Sequence, residues 1–210
     1  MWTKPTQVPW FVMLWVKSLP NFTIHLATAR LVDQNRGPLF FVGALAPDAM
    51  DYPAKEHGHM RYAPDRAAAM AELARATDPA DDFAEGVLVH YYTDWLWDTT
   101  HLLRYKNQAN TNTAAWVKPY HHETKLASSW IYWNEPWAPP LWESMLALPP
   151  ESYGKLPGIA PQDIHALMTR GHRWILKHRG PPSTFYPPEV VEEFAQTTAQ
   201  NYITWRSNLC

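Results

Sequence analysis

The sequence predicts an all-α fold, a single-domain helical bundle with a proline-rich loop and a closing set of C-terminal helices. Three observations lead there. The stretch Phe83 to His101 opens with helix-start signals and is apolar on almost every face, as expected of a helix buried at the centre of a domain. Segments of helical length precede and follow it, each bounded by Gly, Pro, Asn or Asp. Hydrophobic residues make up 46% of the 210 residues and charged residues 18%, enough apolar material for one sizeable core.

Taken in order, residues 1–20 form an N-terminal extension containing the apolar run Pro9 to Val16. That run is too short to span a membrane and lacks the flanks of a signal peptide. It reads as an extra packing segment, an interfacial anchor, or residues upstream of the true start. The expectation is a cytoplasmic protein rather than a secreted one, with no transmembrane segment and with peripheral membrane contact left open.

The domain then occupies 21–210. Asn21 to Val32 is the first helix, ended by Gly37-Pro38. Leu39 to Ala46 reads as a short buried helix breaking at Pro47-Asp48. Asp48 either caps that turn or points inward. His57 and His59 flank Gly58 in a loop, a common metal pattern and also a common surface loop. Pro64-Asp65-Arg66 opens an Ala-rich helix to about Ala76, and Asp78-Pro79 starts the central helix. Arg104 to Thr113 reads as a polar loop, Ala114 to Trp133 as a helix. Asn134 to Pro161 is a proline-rich wrapping loop with one short helix, Leu141 to Leu148. Helices over Pro161–His178 and Pro187–Asn208 close the chain, and His165 and His172 share a face that reads as solvated.

The central helix carries the chemistry. At about 100° per residue, His90, Asp94 and His101 fall within roughly 40° of one another, with Asp98 about 40° further round. Burying such groups without partners is costly, so the stripe is either a hydrogen-bonded cluster or a metal site, for which His nitrogen and Asp oxygen are both suited. Near the start of the 114–133 helix stands His121-His122-Glu123. Of these, His122 and Glu123 lie on the side continued by Leu126 and Trp130, and they are preferred as inward-facing.

Composition sets further bounds. A formal net charge of −2 argues against bulk electrostatic binding of nucleic acid. The single cysteine, Cys210, excludes an intramolecular disulfide. There is no Gly-rich phosphate loop and no Gly-x-Ser-x-Gly, so nucleotide-loop and serine-hydrolase chemistries gain no support.

The order His25, Pro47-Asp48, His57/His59, His90-x-x-x-Asp94, then His-Glu resembles the zinc-dependent phospholipase C family, whose fold is shared with the fungal single-strand nucleases, and in particular its bacterial branch. The resemblance covers roughly residues 21–133. It implies that His25, Asp48, His59, His90, Asp94, His122 and Glu123 are metal ligands, with His57, Asp98 and His101 as lesser candidates and Asp94 placed to bridge. It also implies that Asp48 is the general base. One to three zinc ions are implied; the chain's departures in histidine spacing favour one or two. The expected activity is hydrolysis of a phosphoester (a phospholipid head group, a nucleotide or a small phosphoester) by metal-activated water. The alternative is a non-catalytic metal- or ligand-binding protein of the same fold.

Overall fold

Three of the helices begin where a short polar side chain, Asn21, Asp65 or Asp81, accepts from a free backbone N–H. The protein is described here by a computed structural model covering residues 21–50, 58–109 and 114–209; the N-terminal extension, His57 and Cys210 lie outside the described residues. It is all-α, and no strand occurs among the described residues. In chain order the helices are α1 (Phe22–Val32), α2 (Pro38–Gly43), α3 (Arg66–Ala76), α4 (Asp82–Thr99), α5 (His101–Ala109), α6 (Val117–Asn134), α7 (Ala138–Leu146), α8 (Pro161–Lys177) and α9 (Pro188–Ser207). A 3₁₀ turn at Ala46–Ala49 follows α2. Asp65 caps α3 by accepting from the Ala68 N–H, and Asp81 caps α4 by accepting from the Ala84 N–H.

Two glycines decide how α2 meets the central helix α4. A Cβ on Gly43 would lie 2.1 Å from the Phe83 carbonyl oxygen, and one on Gly86 would lie 2.0 Å from that of Phe40. The two backbones therefore touch through paired gaps that no other residue can fill. On the opposite side, Ser128 of α6 pins the first turn of α1. Its hydroxyl accepts from the Thr23 N–H at 2.9 Å and donates to the Thr23 hydroxyl at 2.7 Å. The chain's last turn is fixed by Arg206 in α9, which pairs with buried Glu85 and donates to the carbonyls of Ala74 and Thr77.

The core gathers on both sides of α4. One cluster includes Leu26, Phe40, Leu45, Met70, Leu88, Trp142 and Met168. The other, rich in aromatics, includes Trp97, Tyr105, Tyr120, Tyr186 and Phe194. Trp97 donates from its indole to the Tyr120 hydroxyl at 2.7 Å, so its one polar atom is satisfied at full burial.

At and just after the central helix, three boundaries differ from the sequence reading. The central helix starts at Asp82 rather than at Pro79, because Asp78 closes a separate turn by accepting from the Ala80 and Asp81 N–H groups. It ends at Thr99. The hydroxyls of Thr99 and Thr100 donate back to the carbonyls of Trp95 and Leu96, and Thr100 leaves the helical region. Residues 104–109, read as part of a polar loop, belong to helix α5, which buries Leu102 and Tyr105. Nor are His165 and His172 a solvated pair. His165 meets the Tyr153 hydroxyl, while His172 stacks on Trp142 and meets the Tyr132 hydroxyl at 3.0 Å.

Candidate metal centre

Four elements deliver five side chains to one point beside α4. His25 comes from the first turn of α1, Asp48 from the 3₁₀ turn after α2, His59 from the turn before α3, and His90 and Asp94 from successive turns of α4. His25, His90 and Asp94 are wholly buried, His59 is 1% exposed, and the Asp48 side chain 7%. Asp48 therefore marks the outer rim of the cluster.

The separations are those of a coordination polyhedron. His59 Nε2 lies 3.1 Å from His90 Nε2 and 3.4 Å from Asp94 Oδ2, and His90 Nε2 lies 3.5 Å from the same oxygen. A tetrahedral zinc with bonds of about 2.0–2.1 Å sets its ligand atoms roughly 3.3 Å apart. Asp48 Oδ1 stands 3.9 Å from His59 Nε2 and 4.0 Å from His90 Nε2, on the rim side of that triangle. The second oxygen of Asp94, Oδ1, lies 3.4 Å from His25 Nε2. One carboxylate thus faces histidines on both sides, the disposition that a bridging ligand requires.

The hydrogen-bond inventory points the same way. Both oxygens of Asp94 and both ring nitrogens of His25 are buried without a hydrogen bond, since the contacts of 3.4–3.5 Å are electrostatic and poorly aligned for one. A buried carboxylate in that state costs several kcal/mol unless a cation compensates it. His90 is oriented differently. The Ala44 carbonyl lies 2.8 Å from its Nδ1, which makes Nδ1 the donor and leaves the Nε2 lone pair facing the cluster. His25 stacks on His90 at 4.1 Å between ring centroids, which fixes the position of both rings.

The charges are coupled accordingly. Burial and the neighbouring His90 push the His25 pKa down, against the pull of Asp94. For His90, burial opposes the charged form, but Asp94, Asp48 and the Ala44 carbonyl outweigh it and raise its pKa. Burial likewise opposes the charge on Asp94, yet His90 and His25 hold that carboxyl well below its ordinary range. Asp94 is therefore an anion at neutral pH, held so by His90 and His25 where a metal would bring its charge.

Among the described residues, two three-residue groups could hold a metal ion, His59/His90/Asp94 and His25/Asp48/His90. Both draw on His90, whose Nδ1 is committed to Ala44, so a single nitrogen serves whichever is filled. The donor set fits a transition metal. Histidine nitrogens and carboxylate oxygens in a buried cluster suit zinc and its neighbours better than calcium or magnesium.

The remaining sequence candidates are placed elsewhere. His122 is exposed on α6. Glu123 instead holds the turn before α9, accepting from the Ser183 hydroxyl and the Thr184 and Phe185 N–H groups. Its neighbour at 183–186 fills that side of α6, which helical spacing alone could not foresee. Asp98 lies one turn beyond Asp94 but binds Arg61 through both oxygens, at 3.1 Å each, and Arg66 at 2.9 Å. His101 leaves the stripe because the helix breaks at Thr100, and it packs between Trp97 and Phe194. The Thr100 hydroxyl donates to the Leu96 carbonyl, so it accepts from His101 Nδ1.

Two contributors had no signal that the residue types could give. The Ala44 carbonyl sets the His90 tautomer, and any residue would supply it. Arg61, two positions after His59, becomes meaningful only once Asp98 is seen to bind it. No helix among the described residues is long and apolar enough to cross a membrane. Comparison with protein-family models, curated proteins and solved structures gives no match.

Proposed function

We propose that the protein is a metal-dependent hydrolase of a phosphoester, with zinc at the His59/His90/Asp94 triangle and with Asp48 as the base. The observation that carries the reading is Asp94: entirely buried, it has no hydrogen bond on either oxygen and two histidine nitrogens within 3.5 Å of Oδ2. The resemblance of the ordered ligands to the zinc-dependent phospholipase C family supplies the reaction class.

A bound divalent cation would stabilise negative charge on phosphoryl oxygens and lower the pKa of water into the neutral range. The chain's own residues do the rest. His90, locked by Ala44, presents a lone pair without a rotamer search. Asp48, on the rim, can accept a proton from an incoming water or orient it. Three neutral histidines, His25, His59 and His90, leave the site less anionic than a carboxylate cage, which suits an anionic substrate. That substrate is a phosphoester: a phospholipid head group, a nucleotide or a small phosphoester.

The test begins with elemental analysis of untagged protein beside a His90→Ala/Asp94→Ala double variant, followed by hydrolysis assays on a bis-aryl phosphodiester, a nucleotide and a phosphatidylcholine vesicle. Zinc near one equivalent or above, lost in the variant together with hydrolysis, is the expected result. No metal after zinc is added back refutes the reading. Metal without turnover of any phosphoester would leave a metal-binding protein and remove the enzyme.

A further inference from the structure

We infer that Asp98 is a positioning residue for the metal centre, acting through Arg61 to hold the turn that carries His59. The inference rests on the metal-centre reading and adds a residue that the ligand set does not contain.

Of the five convergent side chains, His59 is the one carried by the turn that leads into α3. His25, His90 and Asp94 sit on helices, and Asp48 sits on a 3₁₀ turn packed against α4. The turn at 58–62 also contains Met60 at φ +57°, a left-handed conformation that a side chain of this size adopts only when its surroundings impose it. One residue further on, Arg61 places its guanidinium on Asp98 in a two-point contact, Nε to Oδ2 and Nη2 to Oδ1, both 3.1 Å. This planar, bidentate pairing fixes direction as well as distance. Both side chains are largely buried, at 12% and 14% exposure.

The geometry links ligand and anchor on one rigid rod. Asp94 and Asp98 are successive turns of α4, about 6 Å apart along its axis. The helix thus offers one carboxylate to the cluster and, one turn later, a second carboxylate to the strap that delivers His59 to it. Arg66, at the start of α3, binds the same Asp98 oxygen at 2.9 Å and closes the far end of the strap. Sequence reading treats Asp98 as a lesser ligand; its partners give it a different task, orienting His59 through the Arg61 guanidinium.

Electrostatics and positioning make opposite predictions, which makes the inference testable. If Asp98 and Arg61 acted on the metal only through charge, losing the anion would weaken binding of a cation and losing the cation would strengthen it. If they position His59, losing either weakens binding. The experiment is zinc competition against a chromogenic chelator on the full chain, comparing wild type with Asp98→Asn, Arg61→Met, Arg66→Met and His59→Ala, and with each of the first two combined with His59→Ala. Circular dichroism confirms that each variant is folded, and either of the first two suffices if the other fails to fold. Cobalt(II) absorption reports whether a ligand has been lost from the coordination sphere.

Asp98→Asn and Arg61→Met are each expected to weaken zinc binding roughly 10- to 100-fold, the usual effect of losing such a supporting contact. Both should shift the cobalt spectrum toward that of His59→Ala, and neither should weaken binding further in the His59→Ala background. Arg66→Met should stay within about threefold, the scale of one screened charge at this range. Opposite effects of Asp98→Asn and Arg61→Met, or undiminished losses without His59, would overturn the positioning role while leaving the metal centre intact. A wild-type protein that binds no zinc would overturn both.

Discussion

Replacing Asp94 by Asn should remove most of the stability that zinc adds to the folded protein. In the stripped protein Asp94 is a wholly buried carboxylate whose oxygens have no hydrogen bond, compensated only by histidines at 3.4–3.5 Å. Asn keeps the shape and removes the charge. The relief of burying an unbonded charge offsets the lost attraction to the histidines, so the stripped variant should lie within about 1 kcal/mol of wild type. Zinc changes the comparison. A ligand present at 100 times its dissociation constant stabilises the folded state by about 2.7 kcal/mol, which for a chain of this length is a rise of roughly 5–11 °C in midpoint temperature. The Asn variant has lost the anionic oxygen shared by His59 and His90 and should gain little of that rise. The assay is thermal unfolding of both proteins after chelation and again with zinc restored. A wild type indifferent to zinc, or an equal rise in the variant, would refute the reasoning.

Other expectations follow from particular contacts. Gly86→Ala would drive a methyl group to 2.0 Å from the Phe40 carbonyl oxygen, forcing α2 off α4; a loss of about 3 kcal/mol or more in denaturant unfolding is expected, with zinc binding lost as Ala44 and Asp48 move. Glu123→Ala should cost about 1–3 kcal/mol through the freed donors of the 183–185 turn and leave zinc content unchanged; loss of one equivalent of metal would return Glu123 to the ligand set. Burial, assisted by Arg104, lowers the His101 pKa from 6.5 to about 4. The folded state therefore favours the neutral ring, and this stability is present above pH 6.5 and lost as pH falls through 4. The full shift corresponds to roughly 3 kcal/mol, reduced to about 1–2 kcal/mol by the ring's partial exposure. Acid titration of stability in His101→Gln should be shallower by that amount over the same window, and an unchanged titration would contradict the assignment.

What could be read from the chain was what a helix of fixed period determines. His90 and Asp94 stand four residues apart, so any helix through Val87 and Trp97 brings them to one stripe, and apolar neighbours on the other faces argue that the stripe is buried. Length-scale regularity also gave the segments around Ala67 and Val191. Convergence of His25, Asp48 and His59 is another matter. Periodicity cannot say which of several helices lies against α4, and these residues entered the ligand set through order along the chain. The failures share a cause. His101 needed the helix to continue through Thr99-Thr100, where two hydroxyls compete for the backbone carbonyls. Glu123 needed an empty face on α6, and the 183–186 turn occupies it.

The metal centre and the fold depend on the same close approach. Gly43 and Gly86 let α2 lie directly on α4. That contact puts the carbonyl of the next residue, Ala44, within 2.8 Å of His90 Nδ1 and sends the following turn back over the helix with Asp48 at its rim. A bulkier residue at either glycine would therefore remove two contributions at once: the acceptor that aims one ligand, and the approach of another. The His59 side has a support of its own in Arg61 and Asp98. Separate supports for separate ligands predict separable defects. A glycine variant should disturb His90 and Asp48 together, whereas an Asp98 variant should disturb His59 alone, and cobalt spectra of the two should differ accordingly.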